Sequence, residues 1–258
     1  MLHAASTRKD CDEDDEDFEE HKYIFDENKA LDAIEFIEKF CKHSKGRKWA
    51  GRPFVLELWQ KAFISAIFGF VDEETGFRKY KKVILFVARK NGKSTLAAAI
   101  GLYMLLADGE PGAECYSIAT KKDQAKIVWL EAKRMIKKNP VLLKRVKPLI
   151  AELYYEGEEA VFKPLSSESD SLDGLNASFV SADEVHAMKD KNLIDVTYDS
   201  MDSRDQPLFL ETSTMGTVRE NVFDSEYEYA SNIINGYIDE TSDFIDETLL
   251  AIIYELDS

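Results

Sequence analysis

Apolar residues recur along this chain with two different periods, and the points where the period changes divide it into elements. Downstream of Asp26, apolar residues at helical spacing predict a helix that ends near Ser44. A second helix is predicted over roughly Glu57–Phe70, and the polar residues 72–76 after it predict a turn. We therefore expect a helical N-terminal subdomain over residues 24–80.

From residue 82 onward, short runs rich in β-branched residues alternate with longer helical patterns. The predicted strands are Val83–Ala88, Ala113–Thr120, Phe179–Ala182, Leu208–Glu211 and Leu249–Tyr254. The predicted helices are Thr95–Leu106, Asp123–Lys138, Asp190–Met201 and Glu220–Ile234. A polar turn between the apolar runs Leu153–Tyr155 and Ala160–Lys163 predicts a hairpin. This alternation predicts an α/β fold over residues 81–258, with a mainly parallel, twisted sheet flanked by helices.

The composition is that of a globular protein and excludes several other classes. Hydrophobic residues make up 45% of the chain and charged residues 32%. No apolar run is long enough to cross a membrane, and the first twenty residues lack the apolar core of a signal peptide. The three cysteines are widely spaced, which argues against a disulfide scaffold or a four-cysteine zinc site and favours a reducing cytosol.

Charge is distributed very unevenly along the chain, whose formal net charge is −16. Residues 1–20 carry a net charge of −7, residues 21–149 carry +12, and residues 150–258 carry −21. We expect residues 1–23 to form an acidic, disordered tail. The basic middle region suggests a surface that faces a polyanion; its densest part, Lys121–Lys147, has ten basic and two acidic residues, although a solvated helix face is the alternative.

The strongest chemical signal follows the first predicted strand of the α/β region and opens a predicted helix. The loop consists of Arg89, Lys90, Asn91, Gly92, Lys93, Ser94 and Thr95. In such a loop Gly92 allows close approach of a phosphate, Lys93 neutralises phosphate charge, and the Ser94 hydroxyl can bind Mg²⁺. The match is imperfect, because Val87 stands where the first glycine of this motif usually lies. The alternative is a chance basic turn.

An acidic pair lies at the end of the strand Phe179–Ala182. In a nucleotide-hydrolysing site Asp183 would hold Mg²⁺ and Glu184 would act as general base for the attacking water. Two solvated acids that begin a turn are the alternative. The adjacent glutamate indicates a hydrolase rather than a kinase.

Hydroxyl groups follow the next strand, at Thr212, Ser213 and Thr214, immediately before Met215 and Gly216. They can hydrogen-bond a γ-phosphate or the attacking water and relay hydrolysis to a moving element, or they can simply form a Ser/Thr turn.

Two further side chains are candidates for the same site. Gln60 can pair with the donor and acceptor edges of adenine, or it can be an exposed residue of an amphipathic helix. His186 can orient Glu184 or sense nucleotide, or it can have a packing or capping role.

The ordered segments WQKAFI, RKNGKST, ATKKDQAK, SLDGLNASFVSADEVHAMKD and TSTMG make the chain, over about residues 24–257, resemble the large terminase subunit of tailed double-stranded DNA phages. The resemblance implies a P-loop ATPase of the additional-strand, conserved-glutamate class that uses ATP and Mg²⁺ to translocate double-stranded DNA into a procapsid. It implies an adenine contact for Gln60, γ-phosphate sensing for Arg89, and coupling for the motif that contains Ser213 and Thr214.

The resemblance also implies partners and a location. These are double-stranded DNA, the portal protein and the small terminase subunit, in the host cytoplasm, with no membrane involvement. We expect a ring homo-oligomer on the procapsid and a monomer for the isolated domain. The family's C-terminal nuclease domain is not expected in this chain. A helicase-like, nucleic-acid-stimulated ATPase and a non-hydrolytic NTP-binding structural module are the alternative functions.

A ring motor usually completes each site with an arginine from the neighbouring subunit. We expect this residue to be Arg204, because it lies between a predicted helix and a predicted strand in the acidic half of the chain. Arg134 is the second candidate, and a surface pairing of Arg204 with Asp202 or Asp205 is the structural alternative.

Overall fold

The computed structural model describes residues 22–167, 172, 174–188, 191–214, 221–238 and 246–254. The helices are α1 (Glu27–Phe40), α2 (Leu58–Gly69), α3 (Lys93–Leu106), α4 (Lys122–Lys138), α5 (Pro140–Arg145), α6 (Asn192–Asp199) and α7 (Val222–Ile238). The strands are β1 (Tyr23–Phe25), β2 (Phe70–Asp72), β3 (Lys82–Phe86), β4 (Glu114–Ala119), β5 (Val146–Pro148), β6 (Leu153–Tyr155), β7 (Ala160–Ser166), β8 (Phe179–Asp183), β9 (Leu208–Ser213) and β10 (Leu249–Ile253).

The central sheet has the order β10-β3-β9-β8-β4-β7-β6-β5. All pairings from β10 to β7 are parallel, and only β5, β6 and β7 pair antiparallel, which confirms the predicted mainly parallel α/β fold and the β6–β7 hairpin. Strand β9 lies between β3, which precedes the phosphate loop, and β8, which ends at Asp183. This inserted strand is the feature that defines the additional-strand class.

Alternate side chains of each central strand enter cores on opposite faces of the sheet, because successive residues of a strand point to opposite sides. Val83 and Leu85 of β3 join the core formed with α1, α2, α3 and α4. Ile84 and Phe86, the intervening residues, pack against α7. Helix α6 covers the same face further along, over β4, β8 and β9. The result is a three-layer arrangement whose carboxyl edge carries the predicted site.

The predicted N-terminal helices are confirmed and share one core with the sheet. Asp26 caps α1, since its carboxylate accepts a hydrogen bond from the Asn28 backbone N–H at 2.9 Å. The antiparallel ribbon β1–β2 is a structural addition that helical periodicity did not predict. Residues 1–21 of the predicted acidic tail lie outside the described residues, while Tyr23, which the sequence pattern assigned to that tail, belongs to β1.

Helix α3 lies close to the sheet because it carries a glycine at the contact. A Cβ atom at Gly101 would stand 2.8 Å from the Phe162 ring on β7. This packing fixes α3, and with it the residues of its first turn, against the strand edge.

None of the helices in the described part of the chain has the length and apolar character that crossing a bilayer requires.

Candidate functional site: a phosphate loop beside an acidic pair

The loop between β3 and α3 has a backbone that can surround an anion. Gly92 and Lys90 both adopt the left-handed region, with φ values of 77° and 71°. The Asn91 side-chain amide donates to the Ala88 carbonyl oxygen at 3.0 Å and closes the loop on itself. Helix α3 begins directly after Gly92, and the N–H groups of its first turn have no partners within the helix. An anion bound here would meet those groups.

The first turn of α3 supplies the charged and hydroxyl groups that the sequence predicted. Lys93 is buried and makes no ion pair with a carboxylate in the described ranges. Ser94 and Thr95 are half-buried beside it, and Arg89 is exposed on the loop. A buried ammonium without a carboxylate partner is suited to neutralising a phosphate.

Asp183 joins the phosphate loop to the additional strand. Its Oδ2 accepts a hydrogen bond from the Ser94 hydroxyl at 2.6 Å, and its Oδ1 accepts one from the Thr212 hydroxyl at 2.7 Å. Asp183 and Thr212 are also directly opposite in the parallel pairing of β8 and β9. The buried carboxylate is therefore held in a fixed orientation at the carboxyl edge of the sheet.

The oxygens of Ser94 and Asp183 fit Mg²⁺, a hard cation that prefers hydroxyl, carboxylate, phosphate and water oxygens. Within the described residues, no group of three or more His, Cys, Asp or Glu side chains could hold a metal. A site with one or two protein ligands suits Mg²⁺, which usually completes its shell with water and substrate phosphate.

Glu184 adopts a backbone conformation that is uncommon for a residue with a side chain. Its φ of 59° lies in the left-handed region, which costs on the order of 1–3 kcal/mol for a non-glycine residue. Its Oε2 lies 3.0 Å from His186 Nδ1 and 3.4 Å from the Thr214 hydroxyl. The strained position immediately after Asp183 is therefore stabilised by two side-chain contacts.

The three predicted coupling residues are all buried at the end of β9. Thr212 contacts Asp183, Thr214 contacts Glu184, and the Ser213 carbonyl oxygen accepts a hydrogen bond from the Val87 backbone N–H at 3.2 Å. Strand β9 thus contacts the start of the phosphate loop and both members of the acidic pair. Met215 and Gly216 lie outside the described residues.

Gln60 lies between the start of α2 and the phosphate loop. It is buried in the first turn of α2, where its Oε1 accepts a hydrogen bond from the Glu57 backbone N–H at 2.9 Å. Its Nε2 faces Gly92, 3.9 Å from where a Cβ atom on that glycine would lie. Oε1 accepts this one bond and Nε2 faces the loop, so an adenine contact for Gln60 stays a prediction. The alternative of an exposed glutamine is wrong, because the side chain is buried.

An open cavity of about 300 Å³ beside the loop was not predicted from the sequence. It is lined by Trp59, Val87, Asn91 and Tyr254. The Trp59 and Tyr254 rings meet edge to face, with 6.0 Å between their centroids. Tyr254 follows β10, which pairs with β3, so its proximity to Trp59 depends on a sheet order that periodicity does not reveal.

The prediction that Arg204 is exposed between a helix and a strand is wrong, because its side chain is held within its own chain. Its guanidinium donates to Glu110 at 3.1 Å and to the carbonyl oxygens of Pro111, Gly112 and Asn176 at 2.9–3.2 Å. Its side chain is only 10% exposed. These partners precede β4 and β8, at the amino edge of the sheet, a full strand length of about 16 Å from the phosphate loop. The alternative pairing with Asp202 or Asp205 is wrong as well, since the ion pair is with Glu110.

Arg134 is partly exposed on α4 and lies 3.4 Å from Glu131, one turn before it. The same helix presents a line of lysines on its solvent side: Lys122, Lys126, Lys133 and Lys137. At 100° per residue these four positions fall within an arc of about 60°. We call this line the α4 stripe.

Comparison with known proteins places this geometry in a family. Residues 58–232, more than half of the chain, match the family described as "Terminase large subunit, ATPase domain". The chain is 31% identical over 186 residues to the terminase large subunit of Enterobacteria phage HK97, an alignment that covers 70% of this chain and 36% of that protein.

The fold comparison agrees. The crystal structure of the HK97 bacteriophage large terminase superposes with a TM-score of 0.71 and 26% sequence identity, covering 88% of this chain and 44% of that one. The chain thus spans well under half the length of the relatives it matches. With the phosphate loop, the acidic pair and the additional strand all in place, the chain belongs to the family of terminase large subunit ATPase domains.

Proposed function

We propose that this chain hydrolyses ATP and that the hydrolysis drives double-stranded DNA into a procapsid. The observation that carries the proposal is the position of Asp183, whose carboxylate joins Ser94 of the phosphate loop to Thr212 of the additional strand. Glu184, the next residue, stands at the edge of the same site and contacts Thr214. This arrangement brings the groups proposed for nucleotide binding and water activation into contact with a central strand of the sheet.

Each residue has a separate role in this proposal. Lys93 and the loop amides bind the β- and γ-phosphates, while the exposed Arg89 meets the γ-phosphate from the solvent side. Ser94 and Asp183 hold Mg²⁺, which when bound neutralises phosphate charge. Glu184 accepts the proton of the attacking water as general base. These roles account for the acidic pair, which simple nucleotide binding would not require.

The adenine base is expected to bind in the cavity between Trp59 and Tyr254. Both rings are partly accessible beside the loop, so they can provide the flat apolar faces on which a base stacks. The Gln60 Oε1 atom is used within α2, which leaves its Nε2 as the amide group that faces the site. The base would then be bound by stacking more than by two-edged hydrogen bonding.

The macromolecular partners follow from family membership and from charge. The proposed substrate is double-stranded DNA, contacted by the α4 stripe, and the proposed partners are the portal protein, the small terminase subunit and further copies of this chain in a ring. This assembly would work on the procapsid in the host cytoplasm. Arg134 remains the candidate for the arginine supplied between subunits.

The proposal is tested by replacing the general base. Glu184→Gln should retain ATP binding but lower the hydrolysis rate by about 10²–10⁴, because an amide cannot accept the proton. Lys93→Ala should instead weaken binding itself, as a fluorescent-nucleotide titration would show. Single-turnover phosphate release, with protein in excess over ATP, measures even slow hydrolysis. Wild-type turnover by Glu184→Gln would contradict the assignment, and turnover that procapsids carrying the portal and DNA cannot convert into packaging would contradict the motor role.

A further inference from the structure

His186 lies where three elements of the site meet. It belongs to a 3₁₀ turn over Val185–Ala187 that follows Glu184 directly. Its ring contacts Glu184 and β9, and its carbonyl oxygen accepts a hydrogen bond from the Asn221 side chain at 3.3 Å, next to the start of α7. The proposed function above assigns it no role.

The contacts of the ring fix which of its nitrogens carries a proton. Nδ1 lies 3.0 Å from Glu184 Oε2 and 3.0 Å from Ser213 Oγ. The carboxylate can only accept, and the Ser213 hydroxyl donates to the Thr214 carbonyl oxygen at 3.1 Å. Neither neighbour is then left to donate to Nδ1, so Nδ1 must be the donor and is shared between the two oxygens.

A second hydrogen bond fixes the turn to the same serine. The His186 backbone N–H donates to Ser213 Oγ at 3.2 Å. The serine oxygen therefore holds both the backbone and the ring of His186, and the ring in turn holds the carboxylate of Glu184. Thr214, which also contacts that carboxylate, directly follows Ser213 at the end of β9. Both of these restraints on the Glu184 carboxylate lead back to one strand.

We propose that His186 is a positioning residue, which sets the orientation of the Glu184 carboxylate and makes it follow the position of β9. The inference rests on the proposed function, because it concerns the general base of that reaction. A shift of Ser213 would turn the imidazole and move the carboxylate relative to the water it activates. Misplacement of a catalytic group by about 1 Å can lower a rate on the order of 10²-fold.

The test compares His186→Leu, which removes the donor, with His186→Asn, whose amide can place an N–H close to the position of Nδ1. We expect His186→Leu to lower the single-turnover rate about 10- to 100-fold while the nucleotide Kd stays unchanged. His186→Asn should recover most of the rate. His186→Leu combined with Ser213→Ala should be no slower than the slower single variant, because both remove the same connection.

Three results would overturn the inference. The first is a wild-type single-turnover rate in His186→Leu. The second is an equal loss of rate in His186→Asn and His186→Leu, with a lowered Tm in both, and the third is a double variant whose loss of rate is the product of the two single losses. If His186→Leu does not fold, the single-turnover rates of His186→Asn and Ser213→Ala decide. A slow Ser213→Ala beside a nearly wild-type His186→Asn supports the inference, and a wild-type rate in Ser213→Ala overturns it. Glu184→Gln separates the two proposals: if it is inactive while His186→Leu is fully active, only the inference fails, and if it is active, the base assignment fails first.

Discussion

Asp183 accepts a hydrogen bond with each carboxylate oxygen, one from α3 and one from β9. A hydroxyl has one O–H donor and two lone pairs, so Ser94 could bind Mg²⁺ through a lone pair and still donate to Asp183. The carboxylate would thus keep both hydrogen bonds, and its orientation, with the proposed ion bound. Thr212 is fully buried, which protects this second bond from exchange with water.

Tyr254 forms one wall of the cavity in which adenine is proposed to bind. Tyr254→Ala should weaken ATP binding on the order of 10-fold, because stacking on an aromatic ring contributes about 1–3 kcal/mol per base. GTP binding should weaken by a similar factor, since stacking does not depend on the hydrogen-bonding edges of the base. Competition against a fluorescent nucleotide measures both affinities.

Tyr254→Phe is the matched control for this experiment, because it keeps the ring and loses only the hydroxyl. It should bind both nucleotides as the wild type does. An unchanged ATP affinity in Tyr254→Ala would show that the base binds elsewhere. A loss confined to ATP would instead indicate recognition through hydrogen bonds.

At the scale of elements, the spacing of apolar residues predicted most of the longer strands and helices. The strands that are buried on both faces, such as β3 and β8, were predicted because short, continuous β-branched runs between turn residues are typical of strands inside a parallel sheet. The ribbon β1–β2 and the edge strand β5 have three residues each, too few for a period to be visible. Helix α5 was not predicted: Asn139 and Pro140, which directly follow α4, form the N-cap and first position of this short helix.

The order of strands brings three of the predicted site residues together. Asp183, Ser94 and Thr212 each lie at the carboxyl end of a strand or just after one, so an α/β sheet brings them to one edge. The partners of Arg204 and Gln60 could not be seen in the sequence. The Glu110 partner of Arg204 is 94 residues away, and Gln60 Oε1 accepts a hydrogen bond from the N-cap of its own helix.

Beneath the coupling residues, β9 carries a buried carboxyl group. Glu211 is fully buried, and its Oε1 lies 3.0 Å from Lys82 Nζ on β3. The same ammonium lies 2.8 Å from Glu226 on α7, which also pairs with Lys191 at 2.6 Å. This cluster connects β3, β9 and α7. The pKa of Glu211 is raised to about 7, because burial and the charge of Glu226 together raise it by more than Lys82 and Lys191 lower it.

The sign of the resulting pH dependence follows from linkage. The unfolded chain ionises this carboxyl near its ordinary pKa of 4.5, whereas the folded chain does so near 7. Between these values the folded state binds more protons, so the contribution of Glu211 to the free energy of unfolding falls as pH rises through this window. Glu211→Gln should remove this fall, with an effect of up to about 3 kcal/mol above pH 7. Urea unfolding at pH 5 to 8, followed by tryptophan fluorescence, measures it.

Glu156→Gln serves as the control, because Glu156 is an exposed acid whose contact is the surface residue Lys147. Its unfolding free energy should follow the wild-type pH profile. A Glu211→Gln profile with the wild-type slope would mean that the Glu211 carboxyl is not protonated in the folded state over this range.

At the scale of the whole molecule, the acidic and the basic parts of the chain each supply one side of the candidate site. The acidic half supplies Asp183, Glu184 and the buried Glu211, while the basic middle supplies the phosphate loop and the α4 stripe. Two neighbouring members of the stripe already affect each other: partial burial lowers the pKa of Lys133, and the charge of Lys137 lowers it further. A phosphate bound between these two would relieve the repulsion.

The last prediction follows from this arrangement. A double-stranded DNA backbone lying along the α4 stripe would exchange condensed counterions for lysine contacts, so binding should be independent of sequence and should weaken as salt rises. Lys122→Gln together with Lys137→Gln should reduce the slope of log K against log salt by up to about 2, because each phosphate that a lysine neutralises contributes about 0.9 to that slope. Fluorescence anisotropy with a labelled duplex at several salt concentrations gives the slope.

Lys61→Gln with Lys81→Gln is the control. It removes the same amount of charge from α2 and from the residue before β3, and should change the slope little. If the two double variants reduce the slope equally, the total charge of the basic region attracts DNA and the α4 stripe is not the track; if neither does, DNA contacts a different surface.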